Sequence, residues 1–294
     1  MRLLITDSGV GGLSVCAYAE RYLRMHPIGM PVELIYVNAS PENDFGYNSM
    51  GSRQEKIDNF DEFLDIVTDT YSPDQIYVAC NTLSVLYSDT PFSKAPPVPV
   101  RGIVESGVSR LVRDLERFPE SVAAIFGTPT TIDEDTYPRL LQSNGIGEER
   151  IISQACPSLA DTISEDREGS AAREKIERYV GEAIAKSRPG STDFVTYLAC
   201  THYGYRKDYF SGAFGRRRTS TRILNPNEFV SEELFANIGR TSHKDSKYCD
   251  VGVEFITRYK VPETALETIA FFLEGISPKT VDAFQTYTYA PDLF

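Results

Sequence analysis

The sequence predicts an α/β fold of two lobes, and three observations lead there. Short β-branched or aromatic runs alternate with longer amphipathic segments almost throughout, the pattern of βα units around mostly parallel sheets. The chain has 294 residues, long for one compact core and comfortable for two. One stretch also recurs: Ile76-Tyr77-Val78-Ala79-Cys80-Asn81-Thr82 matches Thr196-Tyr197-Leu198-Ala199-Cys200-Thr201-His202, an apolar strand ending in Ala-Cys and two polar residues. In open α/β sheets ligands bind beyond the carboxyl ends of strands. Two matching strand ends, one per lobe, therefore predict two pseudo-symmetric lobes with both thiols at an interlobe active site.

The elements follow in order. Leu3 to Thr6 reads as a strand and Gly12 to Arg24 as a helix. A strand at Val32 to Val37 precedes a loop rich in Asn, Pro, Gly and Ser that runs to Gly51. After Ser52, helical spacing aligns Ile57, Phe60, Phe63, Leu64 and Val67 on one face. Gln75 to Val78, Val122 to Phe126 and Phe194 to Leu198 read as further strands. Ala171 to Lys186 is a helix with Ile176, Tyr179, Val180, Ala183 and Ile184 on its apolar side. Ala95-Pro96-Pro97-Val98-Pro99 is the clearest linker, because clustered prolines continue neither a helix nor a central strand.

Composition narrows the function. Apolar residues make up 41% and charged ones 24% of the chain, a globular balance that argues against disorder. A mean hydropathy of -0.27, with no apolar run of membrane-spanning length, argues against an integral membrane protein. The start, Met1-Arg2-Leu3-Leu4-Ile5-Thr6-Asp7, breaks its apolar stretch at an acid and does not read as a secretory signal. The expected location is the cytoplasm. A formal net charge of -12 repels phosphate backbones and makes nucleic acid an unexpected partner. The five cysteines, Cys16, Cys80, Cys156, Cys200 and Cys249, are odd in number, widely scattered and without a CxxC pair. They form neither a disulfide framework nor a zinc knuckle.

Asp7-Ser8-Gly9-Val10-Gly11-Gly12 lies between the first strand and the first helix, where glycines permit a tight turn and backbone N–H groups face an anion. A dinucleotide fingerprint would need a glycine where Ser14 stands and an acid where the second strand ends at Asn38, so a nucleotide cofactor is disfavoured. The bland alternative is a structural turn. Asp7 weighs against it, because a carboxylate aimed into an anion site needs a purpose such as orienting an amine or a catalytic group. A lone cysteine after a strand is usually a small buried hydrophobe; two in one local context are more specific. Asp7 could orient or accept a proton from the Cys80 thiol, and His202 could do the same for Cys200. Two such thiols on opposite faces of a carbon would perform two-base racemisation without a cofactor. The competing reading is zinc held by Cys80, Cys200 and His202, whose spacing is neither helical nor knuckle-like. Gly127-Thr128-Pro129-Thr130-Thr131 offers hydroxyls and amides to a carboxylate, or else simple helix capping by Thr131 or Asp133. Cys16 and Cys156 read as structural, and His26 and His243 as solvated.

Together these motifs resemble the glutamate racemase family of the aspartate/glutamate racemase superfamily. The likeness runs from Asp7-Ser8-Gly9-Val10-Gly11-Gly12-Leu13-Ser14-Val15 through Ala79-Cys80-Asn81-Thr82, Gly127-Thr128, Thr131 and Ala155-Cys156-Pro157. It continues at Cys200-Thr201-His202-Tyr203 and ends at Phe255-Ile256-Thr257 and Phe272-Leu273-Glu274-Gly275. His202 points to glutamate over aspartate racemases, which typically carry an acid there. The resemblance implies flavodoxin-like lobes with the chain returning to the first after the second: 1–97 plus 208–294, and 98–207. It implies Cys80 and Cys200 as paired acid/base thiols assisted by Asp7 and His202, with no metal and no cofactor. Ser8, Asp44, Phe45, Gly46, Asn81, Thr82, Thr128, Thr131 and Thr201 would line the small-molecule amino-acid substrate. D-glutamate so formed would enter bacterial peptidoglycan. A homodimer is common among relatives, though no stripe here announces an interface. The chain departs from the family at Ala39, at Asp44-Phe45-Gly46 where Pro-Tyr-Gly is usual, at Thr130, at Asp133-Glu134 and at Gly204 in place of proline; Glu165 falls one position late. Those changes keep two alternatives open: a superfamily enzyme acting on another amino acid or small acid, and a non-catalytic ligand-binding homologue.

Overall fold

Residues 1–42, 46–235 and 249–294 are described by the structure, a computed structural model. Asp44 and Phe45, expected at the substrate, and His243, expected in solvent, lie outside the described residues. The strands are β1 (Arg2–Asp7), β2 (Val32–Asn38), β3 (Gln75–Val78), β4 (Val100–Gly102), β5 (Val122–Gly127), β6 (Ile151–Ala155), β7 (Asp193–Ala199), β8 (Ser220–Leu224), β9 (Val251–Thr257) and β10 (Thr288–Tyr289). They form two sheets in which every pairing is parallel: β10-β9-β2-β1-β3-β4 and β6-β5-β7-β8.

The chain divides into two compact units, residues 1–103 with 227–294, and residues 104–226. Both boundaries lie later than the proline run and the expected return at 208 indicate. The cause is sheet extension. Beyond the prolines, β4 pairs with β3 in the register Ile76↔Val100, which keeps the chain in the first unit. In the second unit β8 pairs with β7, and helix Lys207–Arg216 sets Phe210 and Phe214 edge-on against Phe126.

In the first unit, β1 buries every residue after Arg2, as a central parallel strand covered on both faces must. Leu4 lies in register with Ile35 of β2 and Ile76 of β3. Helix Arg53–Tyr71 starts where the Ser52 hydroxyl accepts the Glu55 N–H at 3.1 Å and the Glu55 carboxylate accepts the Gly51 N–H at 2.9 Å. This is reciprocal capping. The five apolar positions expected from helical spacing, Ile57 to Val67, are all buried. In the second unit, helix Ser170–Lys186 buries Ile176, Tyr179, Val180 and Ala183, with Ile184 at the margin.

The two sheets repeat one topology. Counted along the chain, β2-β1-β3-β4 and β6-β5-β7-β8 are both second-first-third-fourth, the flavodoxin-like order. In each, the direction in which strands are added reverses between the first and third strands, so a ligand crevice is expected beyond the carboxyl ends of those two. Those ends are Asp7 and Val78 in one unit, Gly127 and Ala199 in the other. No helix among the described residues is long and apolar enough to cross a membrane.

Candidate active site

In the first unit β1 delivers Asp7 and β3 delivers Cys80 to neighbouring strand ends. The Ala79 N–H donates to the Thr6 carbonyl at 2.8 Å, which extends the ladder to the residue before the thiol. Asp7 is 2% exposed. Its carboxylate lies at the start of helix Leu13–Met25, where the backbone favours negative charge. A side chain at Gly12 would stand 2.7 Å from the Asp7 Cβ and 2.8 Å from its Oδ2. Gly12 is therefore a spatial requirement of the carboxylate.

Cys80 occupies the cap of helix Asn81–Tyr87, and its thiol lies 3.1 Å from the Ser8 hydroxyl. Burial above all, and then the Asp7 carboxylate, push the Cys80 thiol up to about 12. The Ser8 hydroxyl and the backbone N–H groups of Leu83 and Ser8 pull the other way. Burial and the Asp7 charge thus favour the neutral thiol, while the hydroxyl and the two backbone N–H groups favour a thiolate. Asn81 and Thr82 follow Cys80, both buried. Gly46 lies in the connection between β2 and helix Arg53–Tyr71, with its nearest side-chain atom, Ser40 Oγ, 3.5 Å from where a Cβ would lie.

The second unit repeats the arrangement with different partners. Thr128, after β5, caps helix Pro129–Asp133: its hydroxyl accepts the Thr131 N–H at 3.3 Å and lies 3.0 Å from the Thr131 hydroxyl. The cap is thus Thr128, not Thr131 or Asp133, because Pro129 at the first helical position fixes the entry one turn earlier. Cys200, after β7, has an extended backbone and opens the 3-10 turn Thr201–Arg206. Its Sγ lies 3.9 Å from His202 Nδ1. Thr201 is buried beside it. At Gly204 a Cβ would come within 2.6 Å of the buried Asn225 amide. In this chain Asn225 fills the space that a larger residue at 204 would need.

The structure thus brings Asp7, Ser8 and Cys80 together, pairs Thr128 with Thr131, and pairs Cys200 with His202. The remaining cysteines take structural places: Cys16 is fully buried in a helix, Cys156 directs its thiol to the Gln154 carbonyl at 3.6 Å, and the Cys249 thiol donates to the Met30 carbonyl at 3.3 Å. Among the described residues no group of three or more His, Cys, Asp or Glu side chains is gathered as a metal ion needs. Asn38, where a ribose-binding acid would stand, donates to the Tyr259 hydroxyl at 2.7 Å and accepts the Ser40 N–H at 2.9 Å. It closes the end of β2. Exposed His26 stacks on Tyr22 with ring centroids 4.6 Å apart.

Sequence reasoning missed Tyr47. It is 1% exposed, shares a packed cluster with Cys80, and its hydroxyl has no hydrogen-bond partner among the described residues. Burial, and to a lesser degree the charge of a Cys80 thiolate, hold its phenol well above the ordinary range. Its position directly after Gly46 was the available signal.

Each of the two α/β units places a thiol beside a titratable side chain at the end of a central strand, and the relatives make the chain an isomerase of the racemase kind. The chain is 31% identical over 237 residues to glutamate racemase of Aquifex pyrophilus, a match spanning 80% of this chain and 82% of that relative. It therefore belongs to the glutamate racemase family. The solved structure of the Aquifex pyrophilus enzyme superposes with a TM-score of 0.65 at 26% identity, covering 93% of this chain and 95% of that one. Glutamate racemase of Francisella tularensis, solved in complex with D-glutamate, shares the fold with a TM-score of 0.72 at 20% identity over 94% of each chain. No protein-family model matches the chain.

Proposed function

We propose that this enzyme interconverts L- and D-glutamate, with Cys80 and Cys200 as the two proton-transfer groups. The observation that carries the reading is the Ser8–Cys80 contact at 3.1 Å beside a buried Asp7, matched in kind by Cys200 and His202 at the corresponding strand end. In the D-to-L direction the Cys80 thiolate takes the α-proton from one face of the carbon. The Cys200 thiol delivers its own proton to the opposite face. One C–H bond breaks and one forms, a proton moves onto one sulfur and off the other, and no oxidant or reductant enters.

A thiolate whose conjugate acid titrates near 12 is a stronger base than an ordinary one, but is rarely ionised in the empty enzyme. The substrate ammonium, bound next to Asp7 and Cys80, would offset the burial that disfavours the thiolate. Ser8, Asn81, Thr82, Thr128, Thr131 and Thr201 would hold the carboxylates and amine, with the loop of Asp44, Phe45 and Gly46 beside them. His202 would orient Cys200 or exchange its proton. The biological reading is supply of D-glutamate to peptidoglycan from the cytoplasm.

Optical rotation of L-glutamate incubated with enzyme tests the reading. Cys80→Ala and Cys200→Ala should each lower turnover by about 10²–10⁴-fold, the usual contribution of a positioned acid or base. A Cys80→Ser/Cys200→Ser double variant that turns over at the unaltered rate would falsify it. The changed residues at Asp44 and Phe45 motivate the same assay across other amino acids. Faster α-proton exchange of a neutral amino acid than of glutamate would transfer the chemistry to that substrate.

A further inference from the structure

The turn that carries Asp7 and Ser8 contains Gly9, Gly11 and Gly12 in four residues, a sequence with little conformational preference of its own. Something outside the turn must fix it. Two buried side chains do so at its carbonyls. The Tyr36 hydroxyl, from β2, donates to the Gly9 carbonyl at 2.7 Å. The Ser14 hydroxyl donates to the Gly11 carbonyl at 2.9 Å and accepts from the Asn227 amide at 2.7 Å. Asn227 is 213 residues away in sequence, 1% exposed, and stands where the chain re-enters the first unit.

A Ser14 hydroxyl alone could rotate between carbonyls on its own helix. With the Asn227 N–H held on one of its two lone pairs, rotation of the hydroxyl is restricted and its single proton is directed to the Gly11 carbonyl. We propose that Asn227, acting through Ser14, is a positioning residue for the reaction: it locks the glycine turn so that the Ser8 hydroxyl stays against the Cys80 thiol. This rests on the reading of Cys80 as one of the two proton-transfer groups.

The test uses Asn227→Ala, Asn227→Asp, Ser14→Ala and Ser14→Thr in the full chain. Asn227→Asp keeps the size and removes the donor; Ser14→Thr keeps the hydroxyl. The expected result is a kcat lowered roughly 10–100-fold, the scale of an ångström-level misplacement, with little change in KM for Asn227→Ala, Asn227→Asp and Ser14→Ala. Ser14→Thr should recover most of what Ser14→Ala loses.

The deciding readout is the isotope effect with α-deuterated substrate. The equilibrium constant of a racemisation is one, so kcat/KM must fall equally in both directions. Slowing only the Cys80 transfer raises the isotope effect for the enantiomer that Cys80 deprotonates and lowers it for the other. A merely destabilised protein has no such split. Unchanged kcat in folded Asn227→Ala, or equal isotope effects in both directions, would overturn the proposal. If Asn227→Ala does not fold, Ser14→Ala carries the same expectations. If Cys80→Ala keeps full activity, the parent reading has failed instead. The iodoacetamide reaction rate of Cys80 then decides the positioning claim: a change in Asn227→Ala upholds it and an unchanged rate ends it.

Discussion

Cys80 lies between opposed influences. Burial and the Asp7 charge favour the thiol, while the Ser8 hydroxyl and two backbone N–H groups favour the thiolate. The signs give a direct prediction. Asp7→Asn removes a negative charge that opposes ionisation, so the Cys80 pKa falls and its alkylation by iodoacetamide rises at lower pH than in the parent. Ser8→Ala removes a donor and moves the profile to higher pH. Peptide mass spectrometry of the alkylated protein across a pH series reads both. Asp7→Asn should at the same time lose turnover, an easier thiol in a slower enzyme; a profile that moves upward would contradict the charge argument. Asp7, Ser8 and Cys80 are legible in the sequence because glycines and strand ends advertise themselves. The Leu83 N–H, the packing demand at Gly12 and the hold of Asn227 on Ser14 are not. They depend on backbone direction and on a contact 213 residues apart in sequence, to which local pattern is blind.

Elements with a complete apolar face were readable, and partly exposed ones were not. The runs at Leu3 to Thr6 and Val122 to Phe126 become the fully buried parts of β1 and β5. Edge strands carry weaker marks: β4 has three residues after a proline run, and β6 and β8 bury few of theirs. The helix cap at Thr128 is marked in sequence by Thr-Pro, but Thr131 and Asp133 farther along offer capping side chains of the same kind.

Helix Ile103–Arg117 shows how closely such elements pack. A Cβ at Gly107 would overlap the Tyr197 hydroxyl, which accepts from the Tyr137 hydroxyl at 3.3 Å inside the second unit. Alanine is the better helix former by about 1 kcal/mol, whereas overpacking a filled core costs about 1–3 kcal/mol. The second term should win, and Gly107→Ala should lower stability in urea unfolding. A stabilised Gly107→Ala would show that the helix shifts freely off the sheet.

At the scale of the whole molecule, one four-strand order is used twice, and each copy carries Ala-Cys at the carboxyl end of its third strand. The short internal repeat made that doubling visible from sequence. The points of division at 103 and 226 were less so, because proline marks where a strand cannot be, not where a sheet stops growing. If two thiols suffice for the chemistry, dialysis against EDTA and treatment with hydroxylamine should leave turnover unchanged. Loss of activity restored by zinc or pyridoxal phosphate would point to a different machine. The most direct test follows glutamate of one configuration in deuterium oxide, with deuterium at the α-carbon measured separately in product and in recovered substrate at early times. Two groups on opposite faces predict product carrying solvent deuterium while unreacted substrate keeps its original proton. Product that retains the substrate's own proton, or substrate that exchanges as fast as product forms, would mean one group serves both faces and would contradict the account.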